Sequence, residues 1–167
     1  MFGNLDEVTE TLIYKSLKLA MMANKFTHGK HDKKTLAFVK ACVAYAHITI
    51  PSMNTSKNQV QLYLHTAQIA LCNGLIAETD SILQTVLTTL HSQFKTSANL
   101  EDDQKLTSHL MNIIGLLVVV PSNPEKYYFS MASAITNLIQ KKTWQPNSLF
   151  LQTKIYCGLF NYVSTQL

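Results

Sequence analysis

Apolar residues recur three and four positions apart along almost the whole chain, and polar or proline-containing breaks cut the pattern into seven helical segments. Leu5, Val8, Leu12, Leu19 and Ala23 share one helical face, which Ile13 and Leu17 widen, and Asn4-Leu5-Asp6-Glu7 has the form of an N-cap with a capping-box glutamate. The pattern stops near Asn24, and residues 25–32, polar and holding Gly29, read as a loop. Asp32 is placed to cap a second helix from Lys33 to about Thr49, which Pro51 ends. This helix is apolar on nearly every side. Such a helix is expected to lie buried between neighbours, with Phe38, Cys42 and Tyr45 inside.

Ser56-Lys57-Asn58-Gln59 is a second capping box, opening a third helix that reaches about Asn73, with Gly74 as its C′ residue. The fourth helix starts near Leu75 and carries Ile76, Leu83, Val86, Leu87 and Leu90 on one face. Residues 92–99 read as a loop. Glu101-Asp102-Asp103 then opens a fifth helix, where three acids suit the positive end of the helix dipole. Its stripe is Leu106, Leu110, Ile113, Ile114 and Leu117; the β-branched run at 116–120 is of strand length but continues the stripe. Asn123-Pro124-Glu125 supplies a cap and a first-turn proline for helix six, which reaches Lys141-Lys142. Trp144-Gln145-Pro146-Asn147 is a turn, and Phe150, Ile155, Leu159, Phe160 and Val163 mark helix seven.

The pattern predicts an all-α fold, a HEAT-like α-solenoid of about seven antiparallel helices. Residues 1–167 are expected to form one helical-repeat unit, a piece of a longer solenoid or a reduced homologue. Odd-numbered helices start near residues 5, 57, 101 and 147, close to the HEAT period of about 40 to 47 residues; the 34-residue TPR period fails for most of the chain. A solenoid piece leaves its end helices without a next repeat, so helices one and seven are each expected to expose an apolar stripe. Self-association, or a partner over the helix-seven end, follows.

Composition sharpens this. Only 14% of residues are charged, against about 25% in an average soluble domain, which suggests a surface meant to be covered. All 14 basic residues are lysine, so planar two-pronged recognition of phosphate or guanine has no arginine to use. Cys42, Cys72 and Cys157 are widely spaced in apolar stretches and read as buried reduced thiols. The strongest apolar run, 113–120, is too short to cross a bilayer, and the N-terminus carries acids where a secretory signal carries bases. A soluble intracellular chain is expected.

Candidate chemistry is sparse. His28 and His31 flank Gly29 in a loop, with nothing near in sequence to complete a metal shell. His47 and His65 sit among apolar neighbours and read as packed side chains, while Glu78 and Asp80 are two apart on a helix and face different ways. No nucleotide, metalloprotease or nucleophile-elbow motif is present, so no enzyme activity, metal or cofactor is expected. Lys25, Lys30, Lys33, Lys34 and Lys40 make a basic patch around the first loop, read first as a solvated helix N-terminus and otherwise as a surface for an acidic protein or anionic lipid. No aromatic side chains interleave with it, and no nucleic acid is expected.

The run His31-Asp32-Lys33-Lys34-Thr35-Leu36-Ala37-Phe38-Val39-Lys40-Ala41-Cys42-Val43-Ala44-Tyr45, continuing as Ile48-Thr49-Ile50-Pro51-Ser52, resembles a signature in the C-terminal half of the retriever large-subunit family, relatives of the large scaffold of retromer. Leu62-Tyr63-Leu64-His65-Thr66-Ala67-Gln68-Ile69-Ala70-Leu71, followed by Ala77-Glu78-Thr79-Asp80, is similar to a second segment of that family. Weaker echoes are Val119-Val120-Pro121-Ser122-Asn123-Pro124-Glu125 and Thr143-Trp144. Lysines stand here where the family has arginines. The resemblance implies a non-enzymatic scaffold for endosomal cargo recycling, cytoplasmic and endosome-associated, reaching the membrane only through partners. It implies that this end of the solenoid cradles a small subunit of phosphoesterase fold, alongside other trafficking subunits. The residues singled out for partner binding are Lys30, His31, Lys33, Lys34, Tyr63, His65, Leu159 and Phe160. Two other classes stay open: a TPR-like adaptor with a peptide-sized groove, and a closed bundle around a lipid or small-molecule cavity.

Overall fold

The computed structural model describes residues 5–53, 56–94, 99–119 and 130–166, without the side chains of Ser56, Lys57 and Gln166. Among these residues the structure is all helical: α1 (Leu5–Thr27), α2 (Lys33–Thr49), α3 (Ser56–Cys72), α4 (Ile76–Phe94), α5 (Leu100–Val119), α6 (Ser130–Lys141) and α7 (Leu149–Gln166), with single 3-10 turns at Ile50–Ser52 and Pro146–Ser148. The 116–119 stretch is helical, as its stripe requires. The expected caps at Asn4 and at Asn123-Pro124, and residues 95–98 of the 92–99 loop, lie outside the described residues; 25–27 and 92–94, read as loop, instead continue α1 and α4.

Helix ends follow local chemistry. Asp32 caps α2, its Oδ1 accepting from the Thr35 N–H at 2.7 Å. Gly74, at φ 73°, ends α3 in a Schellman turn: its N–H donates to Leu71 O and the Leu75 N–H to Ala70 O, both at 2.9 Å. Leu75 is buried beneath that turn. α1 ends the same way, but with His28 at φ 51° in the left-handed position and Gly29 after it. Asn99 Oδ1 caps α5 by accepting from the Asp102 N–H at 2.7 Å.

The chain divides into two compact units, residues 1–83 and 84–167, the boundary falling within α4. In the first, side-chain contacts order the helices. Glu10 meets Asn58, Tyr14 meets His65, and Asn24 donates to Cys72 O at 2.7 Å, so α1 and α3 run parallel. Ser16 of α1 donates to Cys42 O of α2, and His47 of α2 meets Tyr63 of α3 edge-on at 5.7 Å. The most enclosed helix is α3: Val60, Leu62, Tyr63, Leu64, Thr66, Ala67, Ile69 and Ala70 are all buried, and Gln61, Gln68 and Cys72 mark its exposed side.

That corrects two expectations. α2 buries only Val39, Cys42, Val43 and Ala46; Phe38 is 46% and Tyr45 40% exposed, so neither belongs to the interior and Phe38→Ala should cost well below a full core truncation. In α1 the buried residues are Ile13, Leu17 and Ala20, while Leu5, Val8, Leu12 and Leu19 of the expected core stripe face solvent. The cause is common to both. Each helix has two apolar faces and only one is met by a neighbour.

In the second unit α5 supplies a continuous core face, Leu106, Leu110, Ile113, Ile114 and Leu117. α7 packs on it with Ile155, Gly158 and Leu159 buried, and a Cβ on Gly158 would stand 3.1 Å from Met111 Sδ. At one end of this packing Asp103 and Lys142 form a buried ion pair, Nζ to Oδ1 3.0 Å, with both side chains almost fully withdrawn from water. The Gln145 N–H donates to Asp103 Oδ2, and Lys142 Nζ lies 5.6 Å from the centre of the Trp144 ring, whose Nε1–H donates to Ile139 O. The pair pins the α6–α7 turn to the first turn of α5. Burial opposes ionisation of Asp103, but the Lys142 ammonium, with the Ser148 hydroxyl and the Gln145 N–H, holds its carboxyl below the usual range. The acid expected to serve only the helix dipole is thus an interior charge.

Two stability outcomes follow. Gly74→Ala should cost about 1 to 2 kcal/mol through backbone conformation alone, since nothing lies within 4 Å of the added Cβ, and His28→Gly should relieve a similar strain; urea melts measure both. Asp103→Ala or Lys142→Met alone should cost about 3 to 5 kcal/mol, and Asp103→Leu with Lys142→Met together far less, because only the single changes strand a buried charge.

Candidate docking surfaces

The structure separates the eight residues singled out for partner binding. Lys30, Lys33 and Lys34 are exposed around the α1–α2 turn, with His31 half-buried beside them, its Nδ1 3.4 Å from Thr27 Oγ1. Tyr63 is 2% and Leu159 6% exposed, so both are interior packing residues and offer no surface. His65 is half-buried against Tyr14, and Phe160 is 72% exposed. Burial removes Tyr63 and Leu159: Tyr63 packs edge-on with His47 of α2, and Leu159 is turned inward beside Gly158. The aromatic run Tyr127-Tyr128-Phe129 lies outside the described residues.

Among the described residues, three rows of apolar side chains lie open. On α1, Leu5, Val8, Leu12, Leu19, Met22 and Phe26 are 42 to 80% exposed. On α2, Phe38, Tyr45 and Ile48 continue at the same three-and-four spacing, with the exposed Ala41 between them. In the second unit, α7 presents Leu149, Phe150, Tyr156 and Phe160. Exposed apolar side chains in rows are unusual on a surface that has no partner. The α2 row was missed by sequence reasoning, which took a helix apolar on all sides as an enclosed one. The 38/41/45/48 spacing, opposite 39/42/43/46, was the available signal.

Beside the α2 row, Lys40, Val43, Ala44 and His47 face Ala77, Glu78, Ser81 and Ile82 of α4 across an open groove of ≈ 360 Å³. Lys40 and Glu78 bridge it at 3.0 Å. Burial opposes ionisation of Glu78, yet its carboxyl sits below its ordinary value because of the Lys40 partner. Burial also pushes the His47 imidazole below its ordinary value, so the ring is neutral near pH 7. A hollow under Leu90, Phe94 and Leu138 holds only ≈ 10 Å³, about one water, which is no lipid or cofactor site.

Among the described residues, no three His, Cys, Asp or Glu side chains converge as metal ligands, and no helix is long and apolar enough to cross a membrane. Of the cysteines, Cys42 is buried, but Cys72 and Cys157 are exposed, which corrects the reading of all three as interior thiols.

A model of the VPS35L C-terminal domain matches residues 1–167, the whole chain. The chain belongs to the VPS35L C-terminal domain family. Relatives called VPS35 endosomal protein-sorting factor-like agree. The human protein is 35% identical over 153 residues, covering 89% of this chain and 16% of its own length. That of Danio rerio is 34% identical over 152 residues, 88% of this chain and 16% of its own length. That of Dictyostelium discoideum is 32% identical over 167 residues, 94% of this chain and 17% of its own length. The chain therefore spans about a sixth of the length of these relatives. The resemblance carried by the 31–52 and 62–80 runs is to this family.

The His47 environment gives a pH dependence. Its folded-state value lies below the unfolded one, so its contribution to stability is complete above about pH 6.5 and is lost as pH falls below that, when the unfolded chain takes up the proton more readily. Thermal melts from pH 7.5 to pH 5 should show falling stability, and His47→Gln should flatten part of that slope; His109, lowered by burial in the same way, supplies another part.

Proposed function

We propose that the chain is a non-enzymatic scaffold segment of an endosomal cargo-recycling complex of the retriever or retromer type, and that it holds a small subunit of phosphoesterase fold. The family match across residues 1–167, with relatives called endosomal protein-sorting factors, carries this reading. The structural features that support it are those of a binding surface. Odd-numbered helices begin at residues 5, 56, 100 and 149, spacings of 51, 44 and 49 that favour a HEAT-like solenoid over a 34-residue TPR array. Rows of exposed Leu, Phe and Tyr on α1, α2 and α7 offer apolar contact.

In this reading the small subunit packs on apolar rows of successive helix pairs, and Lys30, Lys33 and Lys34 steer its approach without carrying affinity. The segment works at the cytoplasmic face of endosomes and reaches the membrane through its partners, among them other trafficking subunits.

Binding to a purified phosphoesterase-fold subunit, measured by calorimetry at 0.05 and 0.5 M salt, tests this. An apolar interface predicts affinity that survives 0.5 M salt, where the screening length is about 4 Å, and a Lys30→Glu, Lys33→Glu, Lys34→Glu variant that slows association at low salt only. No binding by the intact chain at either salt would leave shared ancestry without the shared role.

A further inference from the structure

Gly74, which ends α3, follows Asn73, and nowhere else in the sequence does a glycine follow asparagine or aspartate; the others follow Phe2, His28, Ile114 and Cys157. A side-chain amide before glycine is open to attack by the next backbone nitrogen, because glycine has no Cβ to crowd that nitrogen. Here the turn between α3 and α4 keeps both reacting groups occupied. Asn73 is 6% exposed, and its Nδ2 donates to Ile69 O at 2.7 Å, so the carboxamide is drawn back along α3. The Gly74 N–H is committed to Leu71 O at 2.9 Å, so its nitrogen does not release that proton to water while the turn is closed.

Three contacts hold the turn shut. The Leu75 N–H donates to Ala70 O at 2.9 Å, and the Leu75 side chain is buried beneath the turn. From α1, Asn24 Nδ2 donates to Cys72 O at 2.7 Å, one residue before Asn73. The first two are part of the turn itself. The third is a single half-buried hydrogen bond, so it can be removed without touching the turn or the core.

We propose that Asn73-Gly74 is a deamidation site gated by the α3–α4 turn, through which prolonged opening of that turn becomes irreversible. In the open turn a base takes the Gly74 amide proton and the nitrogen attacks Asn73 Cγ. The N–Cγ bond forms, the Cγ–Nδ2 bond breaks, and Nδ2 leaves as ammonia with a proton from water. Water then opens the imide ring. Hydrolysis at Cγ leaves aspartate at position 73; hydrolysis at the backbone carbonyl leaves isoaspartate, whose main chain runs through Cβ and Cγ. Nothing is oxidised or reduced. Neither product rebuilds the end of α3. Aspartate sets a carboxylate oxygen against Ile69 O where the amide donated, and the other oxygen, Oδ1, is buried and already meets no donor among the described residues. Isoaspartate inserts a backbone carbon inside the loop that the Gly74–Leu71 and Leu75–Ala70 bonds close, so the two cannot form together. The inference does not depend on the proposed scaffold role, and its test contains no second protein, so either can fail alone.

The test is peptide mapping by mass spectrometry of the full chain held near pH 7.4, in buffer and in guanidinium chloride, with aspartate and isoaspartate at position 73 separated. In denaturant Asn73 should react ahead of every other asparagine. In the folded chain the rate should fall by about 100-fold or more, set by the fraction of time the turn is open. Asn24→Ala should speed the folded-state reaction about fivefold, as loss of one hydrogen bond implies, and leave the rate in denaturant unchanged. Hydrogen exchange at the Gly74 N–H should quicken in the same ratio. Gly74→Ala should slow the reaction in denaturant, because the methyl crowds the attacking nitrogen. Chain deamidated in denaturant and returned to buffer should melt below the untreated chain. Equal rates in buffer and denaturant overturn the proposal, and so does a folded-state rate indifferent to Asn24→Ala. A deamidated chain that melts with the untreated one overturns the irreversibility.

Discussion

The enclosure of α3 by its neighbours organises the first unit. An α-helix can satisfy an apolar face only where another element covers it, and α3 is covered on all but the side of Gln61, Gln68 and Cys72. Its buried polar residue Thr66 turns its hydroxyl inward to Leu62 O at 2.7 Å and so costs no unmet hydrogen bond. The aromatic contacts of Tyr63 with His47 and of His65 with Tyr14 tie α2 and α1 to opposite parts of the same helix. Once α3 has fixed which side of α1 and α2 is inward, the other apolar side of each has nothing to meet.

The second unit solves a different problem. Its core face on α5 is an ordinary stripe, but the turn between α6 and α7 is held by a charge pair withdrawn from water. Such a pair contributes little net stability compared with well-packed apolar side chains, and its loss on one side is expensive. What it supplies is position. Asp103 takes the Lys142 ammonium and the Gln145 N–H at once, so the α6–α7 turn has one seat on α5. Gly158 then lets α7 approach Met111 closely.

The surface consequence is the same in both units. A chain with 14% charged residues spreads apolar rows over α1, α2 and α7 that water covers poorly. The relatives in this family are far longer than this chain. The low charge was legible from composition alone; which apolar rows lie open was not.

Helix order and the ends at Asp32 and Gly74 were local properties, and the sequence determined them: Asp32 caps and Gly74 terminates through bonds to residues within five positions, so no distant neighbour is needed to place them. Membership of the family was written in contiguous runs such as 31–52, which need no fold to be read. The facing of each helix was not local. Leu5, Val8 and Leu12 are as apolar as Ile13 and Leu17, and Phe38 and Tyr45 as apolar as Val39 and Cys42, so periodicity identifies two possible inward faces on α1 and α2 and cannot rank them. Tyr63 and Leu159 left the candidate surface, and Asp103 and Lys142 met across 39 positions of sequence, for the same reason. Which side of a helix is inside depends on where the other helices stand, and only the tertiary packing decides that.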